Sequence, residues 1–215
     1  MPREGVTAMH QESIKKPLSN SCKKYQNSNT ELMSSKPENK VTVEYLNIER
    51  DGDQLWEMYT DPEYKEFFRD LGSVWNRDAL MNSDDIAQVF FYTIRYNGEF
   101  VGFVCLSGTK PFVKSVNLGI VMLKKWHDYR VGKKHKLCFL AMRKIGEILF
   151  EEQAFNRVIC TVLSHRQDLA DGLINAGFHY EGYLEQSVFL EGKYLDECQF
   201  ALLAKEYFSL YKKVH

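Results

Sequence analysis

The stretch Lys114–Glu152 constrains the fold most, because it joins three segments of different physical character. KSVNLGIVML (Lys114–Leu123) carries β-branched residues and a single Gly119, the pattern of a strand. LCFLAMRKIGEILFEE (Leu137–Glu152) repeats at helical spacing instead. Leu137, Ala141, Ile145, Ile148 and Leu149 share one face, which Cys138 and Met142 widen. Gly146 inside that helix costs about 1 kcal/mol against alanine, which predicts close contact with a strand there. Between the two lies KKWHDYRVGKKHK (Lys124–Lys136), the densest positive charge in the chain. Backbone N–H groups at a helix start attract anions, and lysines add to that field. The segment reads either as a phosphate-binding loop or as a solvated basic loop.

The 215 residues suffice for one domain with a core, or one domain plus a tail. The net charge of −1 is uneven: residues 1–40 carry +3, which leaves −4 for the rest. No global positive field points to nucleic acid. No run approaches the ~20 apolar residues of a membrane span, and the N-terminus lacks a signal-peptide core. The cysteines (Cys22, Cys105, Cys138, Cys160, Cys198) have no metal-ligand spacing, so no metal site is expected. Buried reduced thiols in a cytoplasmic protein are the expectation.

Residues 1–40 are rich in Ser, Asn, Lys and Gln, with few bulky apolar side chains. Such a segment cannot bury enough surface to offset its ordering entropy, so a disordered tail is expected before a domain spanning 41–215. From Val41 the order reads as a strand, helices near 51–60 (Leu55, Trp56 and Tyr59 inward), 61–71 and 76–88, then two strands flanking Asn97-Gly98. That dipeptide is a strong hairpin signal. After the central strand and helix come an apolar strand at Asn156–Leu163 and a helix at Arg166–Ala176 that Gly177 ends. A second hairpin turns at Glu191–Lys193, and a last helix spans Lys205–Lys213.

This order, together with NLGIVML, FNRVICTV and the run INAGFHYEGYLEQSVFLEGKYLDECQFALL, resembles the GNAT superfamily of N-acetyltransferases over about residues 41–205. The likeness is greatest to its branch of ribosomal-protein N-terminal acetyltransferases. Gly177, Phe178, Glu181, Gly182, Gly192 and Asp196 carry the C-terminal part of it. The resemblance implies an α/β fold: a mixed, largely antiparallel sheet of six to seven strands, flanked by helices and splayed between its fourth and fifth strands. The pantetheine arm of acetyl-CoA, or another acyl-CoA, would lie in that splay beside Ile120, Val121 and Met122. In the family, backbone N–H groups of a Gln/Arg-x-x-Gly-x-Gly/Ala loop hold the pyrophosphate.

That loop is worn here. Counting back from the helix gives Lys133, Lys134, His135, Lys136, Leu137 and Cys138, with Lys136 where the first glycine belongs. A register from Arg130 has no glycine in place, and one from His127 recovers only Gly132. The first keeps the helix in phase and leaves small Cys138 at the close-packed position. Asn117 stands where many members place a glutamate base, and its amide takes no proton. The asparagine common after the fifth strand falls at or beside Arg166, so the resemblance implies a cofactor-binding role for Arg166 on the donor side, and a frequent tyrosine acid is Leu173. His127, near the loop, is the remaining candidate base.

The resemblance implies direct acyl transfer to a primary amine, such as a protein N-terminus or an amino sugar, without nucleic acid or membrane partners. Two alternatives stay open: a GNAT-shaped binding module that has lost acetyl-CoA, and a transferase that takes its acyl group from acyl-carrier protein. The tail yields a direct prediction. A chain starting at Lys40 should melt within a few degrees of the full chain, and a large drop would show that residues 1–39 pack on the domain.

Overall fold

The computed structural model describes residues 41–68, 76–82, 90–110, 112–131 and 135–211. The expected disordered tail lies outside them, as do the expected helical residues beyond 68 and beyond 82, and Lys133 and Lys134. Nine strands and five α-helices are described: β1 (Val41–Tyr45), α1 (Ile48–Thr60), α2 (Arg77–Met81), β2 (Phe90–Tyr96), β3 (Glu99–Lys110), β4 (Ser115–Met122), β5 (Arg130–Val131), β6 (His135–Lys136), α3 (Leu137–Gly146), β7 (Arg157–Leu163), α4 (Gln167–Asn175), β8 (His179–Leu190), β9 (Lys193–Leu203) and α5 (Ala204–Tyr211).

Seven strands form one mixed sheet in the order β1-β2-β3-β4-β7-β9-β8. Every pairing is antiparallel except β4 with β7. Both expected hairpins form, with positive φ at Asn97 and Gly98 and again at Glu191 and Gly192. The segment expected as a basic loop is partly ordered. A 3₁₀ turn at Lys124–Trp126 leads into a small β5–β6 ladder.

Side-chain alternation along the strands divides the interior in two. Tyr92, Val104, Leu118, Met122, Val158, Cys160 and Phe200 face one cluster with Leu137, Ala141 and Ile145 of α3 and Leu149 of the π-helical turn Glu147–Glu152 that follows it. Phe91, Phe103 and Val121 face the other, with Leu55, Met58, Tyr64, Phe68, Leu80 and Met81. The buried hydrophobic side chains of α1 are thus Leu55 and Met58; Trp56 and Tyr59, expected inward, only pack against the rim. Gly146 is also reassigned. A Cβ there would stand 2.8 Å from the Tyr207 ring, so the close approach is to helix α5 and not to a strand. Cys105, Cys138 and Cys160 are free thiols as expected, whereas Cys198 is disulfide-bonded.

One buried charge fixes α1 to the sheet. Asp51 is 1% exposed and accepts hydrogen bonds from Arg50 (3.0 and 2.7 Å), Thr93 Oγ1 (3.0 Å) and Arg95. Arg95 Nε also donates to Glu44 Oε1 of β1 at 2.9 Å. Burial pushes the Asp51 carboxyl up, but hydrogen bonds from Arg50 and Thr93 and the charge of Arg95 outweigh it, and the net effect lowers it. A lowered carboxyl contributes stability above its unfolded pKa of about 4, and that stability is lost as pH falls through the folded value. Asp51→Asn should therefore cost about 2–3 kcal/mol at pH 7. Urea unfolding should show the gap to wild type narrowing below about pH 4.

Candidate active site

The parallel ladder between β4 and β7 is short. It pairs Ser115 with Arg157, Val116 with Val158 and Asn117 with Ile159, and then stops, although β4 runs on to Met122 and β7 to Leu163. Each strand stays bonded on its other side. β3 follows β4 through Gly102–Met122, and β9 follows β7 through Leu163–Glu197. The sheet therefore opens between its two central strands, as expected.

The backbone groups in this opening follow from register. Leu123 N–H donates to Val101 O at 2.9 Å, which makes that opposed pair a hydrogen-bonded one. By alternation Val121 and Gly119 also point their backbone groups at β3, while Ile120 and Met122 point theirs into the opening. His127 Nε2 lies 2.7 Å from Met122 O. A carbonyl only accepts, so that ring nitrogen carries the proton and donates. The expected base is thus engaged at Nε2 in holding the end of β4. Its bond satisfies a carbonyl of the opening and leaves the Met122 N–H.

The segment that carries His127 is anchored by Trp126. Trp126 is buried and packs edge-on to Tyr96 and Tyr129, with centroids 5.9 and 4.7 Å away. Helix α3 begins at Leu137 with no side-chain cap, and Leu137 N–H bonds Tyr129 O at 2.9 Å. Lys136, its N-cap residue, pairs with Asp128 at 3.0 Å. Burial pushes the Cys138 thiol up to about 11, so it stays protonated at neutral pH. Lys133 and Lys134 lie outside the described residues, and of His135 only the backbone is described, in β6.

On the opposite face, Asn117 is exposed at the point where the strands part. Next along that face a Cβ on Gly119 would lie 2.6 Å from Cys105 Sγ and 3.1 Å from the Phe67 ring. Phe67 belongs to a short segment that reaches β4, the β8–β9 turn, the start of α4 and the turn after β4. Lys65 pairs with Glu191 of the β8–β9 turn (3.3 Å), and Glu66 with Arg166 (3.1 Å). Arg166 also pairs with Asp168 at 3.0 Å, so the structure places it in a tether between this segment and α4. Tyr64 Oη accepts from Lys124 N–H at 3.2 Å. Phe67 is one of the front-block aromatics expected as core, whereas neither Glu66 nor the buried Glu197 of β9 was expected at the site. Glu197 follows Asp196 in the mixed run KYLDECQFALL, where no local pattern marks which of the two acids is buried.

No family model matches the chain, and no curated protein matches it. Solved structures do. Spermidine N-acetyltransferase from Vibrio cholerae, in complex with CoA and spermine, superposes with a TM-score of 0.67 at 15% identity over 79% of this chain and 98% of that one. A chimaera of Vibrio cholerae SpeG and hSSAT gives 0.65 at 15% identity, covering 80% and 99%. A probable acetyltransferase gives 0.62 at 18% identity, covering 78% and 95%. The fold is that of the GNAT acetyltransferases. At these identities the likeness is one of fold, and chemistry must be argued from the residues. Among the described residues no group of three or more His, Cys, Asp or Glu could hold a metal ion, and no helix is long and apolar enough to cross a membrane.

Proposed function

We propose that this chain is an N-acyltransferase that moves an acetyl or other acyl group from acyl-CoA to a primary amine, with both substrates bound together. The observation that carries this reading is the opening between β4 and β7, edged by the N–H groups of Ile120 and Met122. An extended amide chain such as pantetheine matches a strand edge. An N–H directed at the thioester carbonyl favours the oxyanion that forms when the amine attacks. Holding amine and thioester together supplies much of the remaining acceleration. The structural neighbour that binds CoA and spermine supports an amine acceptor.

The donor's phosphates would lie at the start of α3, where no side chain caps the helix. Lys133, Lys134, His135 and Lys136 would supply charge where the family pattern has glycines, with Leu137 and Cys138 opening the helix. Arg166 would act indirectly, through Glu66, on the acceptor side. The worn glycine loop, the likeness to the ribosomal-protein branch, a catalytic domain starting near residue 41 and a cytoplasmic location belong to the same reading.

Calorimetry tests the donor. Neutralising Lys133, Lys134 and Lys136 together should weaken CoA binding tenfold or more, at about 1 kcal/mol per charged contact. No heat from the wild-type protein at millimolar CoA would overturn the acyl-CoA reading in favour of a binding module or another donor.

The acceptor preference follows from Asn117, which takes no proton, and from His127, whose Nε2 is engaged. An α-amino group has a reference pKa near 8 and a lysine near 10.4, so at pH 7.5 about a quarter of the first is neutral against about a thousandth of the second. That difference corresponds to about 2–3 kcal/mol of barrier. Peptides offering only a free N-terminus should accept the acyl group about a hundredfold faster than peptides offering only a lysine. Faster transfer to lysine at neutral pH would reveal a base, and His127→Ala would show whether it is the imidazole.

A further inference from the structure

We infer that His127 is a positioning residue for the oxyanion: by covering the Met122 carbonyl, it leaves the Met122 N–H as the group that the thioester oxygen meets at the end of β4. The inference rests on the acyltransferase reading and adds a residue to its machinery.

The need arises from strand geometry. The N–H and C=O of one strand residue point to the same side, so Met122 O stands beside Met122 N–H in the opening. Met122 is the last residue of β4, and beyond Asn117 no rung of β7 meets this edge. Left bare, Met122 O would set the negative end of its dipole next to the place where the attacked carbonyl gathers charge. An oxyanion donor works through the net field at that place, and a bare carbonyl beside it subtracts from the field. His127 Nε2–H, with Nε2 2.7 Å from Met122 O, answers that dipole with a positive one.

The turn after β4 holds the imidazole in place. Met122 and His127 are five residues apart, and the turn brings the side chain back to the strand it has left. Trp126 N–H donates to Leu123 O at 2.8 Å, and His127 N–H donates to Lys124 O at 3.2 Å. Lys124 N–H donates to Tyr64 Oη at 3.2 Å, and Tyr64 is buried. Lys124 Nζ pairs with Glu63 at 2.6 Å, and Lys125 Nζ pairs with Glu99 at 2.5 Å. The turn is thus tied to residues 63–64 on one side and to β3 on the other. Nothing comparable prepares the ring as a base. Its only hydrogen bond among the described residues is at Nε2, whereas a base would accept at Nδ1 and be oriented by a third group. The adjacent carboxylate, Asp128, is held by Lys136 Nζ at 3.0 Å.

The reaction balances without a proton passing through His127. The neutral amine attacks the thioester carbon, a C–N bond forms and the carbonyl oxygen takes up the charge. As that charge returns, the C–S bond breaks, and the sulfur leaves with the proton that the nitrogen gives up. His127 acts while the oxygen is charged, so its effect falls on kcat.

The test compares wild type, His127→Ala and His127→Gln with acetyl-CoA and the peptide amide Gly-Gln-Gly-Gly, which offers one acylatable amine. His127→Ala should lower kcat about tenfold, with KM for the peptide and Kd for CoA within about twofold. Glutamine offers an amide N–H to the same carbonyl and takes no proton, so His127→Gln should recover kcat to within about threefold of wild type. Nε2 donates whether the imidazole is neutral or protonated, so all three proteins should share one shape of kcat against pH. An unchanged kcat in His127→Ala overturns the assignment, as does tighter CoA binding, which would mean that His127 competes for the edge of β4. A loss that glutamine does not recover, with an altered pH profile, overturns it in favour of a base. Should the variants not fold, ring-nitrogen NMR shifts of the wild-type protein decide. They should show the Nε2–H tautomer with and without CoA; the Nδ1–H tautomer, or loss of the Nε2–H bond when CoA binds, overturns the assignment. These failures in a protein that binds CoA and acylates the peptide overturn this inference alone. A wild-type protein that binds no CoA overturns the acyltransferase reading beneath it.

Discussion

The parting of β4 from β7 after three rungs is the constraint on which the site depends. A strand pair that stops early leaves backbone donors and acceptors facing each other across a gap, and a buried unpaired group is costly. The structure covers part of that cost from within, because His127 donates to Met122 O. What remains along β4 includes the N–H groups of Ile120 and Met122, and donors at that edge suit an oxygen-bearing ligand. The parting is held by firm pairing on both outer sides: β3 along β4, and β9 along all seven residues of β7.

The two interior clusters give the two sides of the opening different characters. On the α3 side the opening leads to an uncapped helix start, where positive potential gathers. On the other side, residues 63–68 lie over Gly119 and reach the β8–β9 turn. The ion pairs of this segment do little to hold it. Lys65 and Glu191 are 51% and 69% exposed, and such pairs contribute about 0–1 kcal/mol. Tyr64 and Phe68 are buried to 8% and 4%, and each apolar side chain buried so fully contributes about 1.5–3 kcal/mol. Apolar packing therefore positions the segment, and Glu66–Arg166 and Lys65–Glu191 set its register.

Much of this fold was legible because it is written locally. Asn97-Gly98 and Glu191-Gly192 dictate hairpins through positive φ, and Gly177 ends α4 at φ +92°. The periodicity of Leu137–Ile145 predicts the face that α3 buries. Other features depended on partners distant in sequence. Gly146 reads as close packing from any side, and only the fold shows that Tyr207, far along the chain, is the neighbour. Asp51 in α1 looks like an exposed acid until Thr93 and Arg95 of β2 come beneath it. Arg166 was read through the family pattern as a donor-side residue. Its pairing with Glu66 depends on a segment a hundred residues earlier, which no local pattern reveals. His127 was legible as a residue near the loop, but its bond to Met122 O required the turn at Lys124–Trp126.

Asn117 shows why the position of a negative charge matters more than its presence. With an effective dielectric near 20, a carboxylate about 4 Å from an ammonium is worth about 4 kcal/mol, against about 1.7 kcal/mol at about 10 Å. A charge at the nearer distance that does not accept the proton raises an amine's pKa and lowers the neutral fraction that can attack. In the proposed reaction, asparagine at 117, exposed where the strands part, avoids that penalty. The amine's own basicity then sets how much of it is neutral and able to attack.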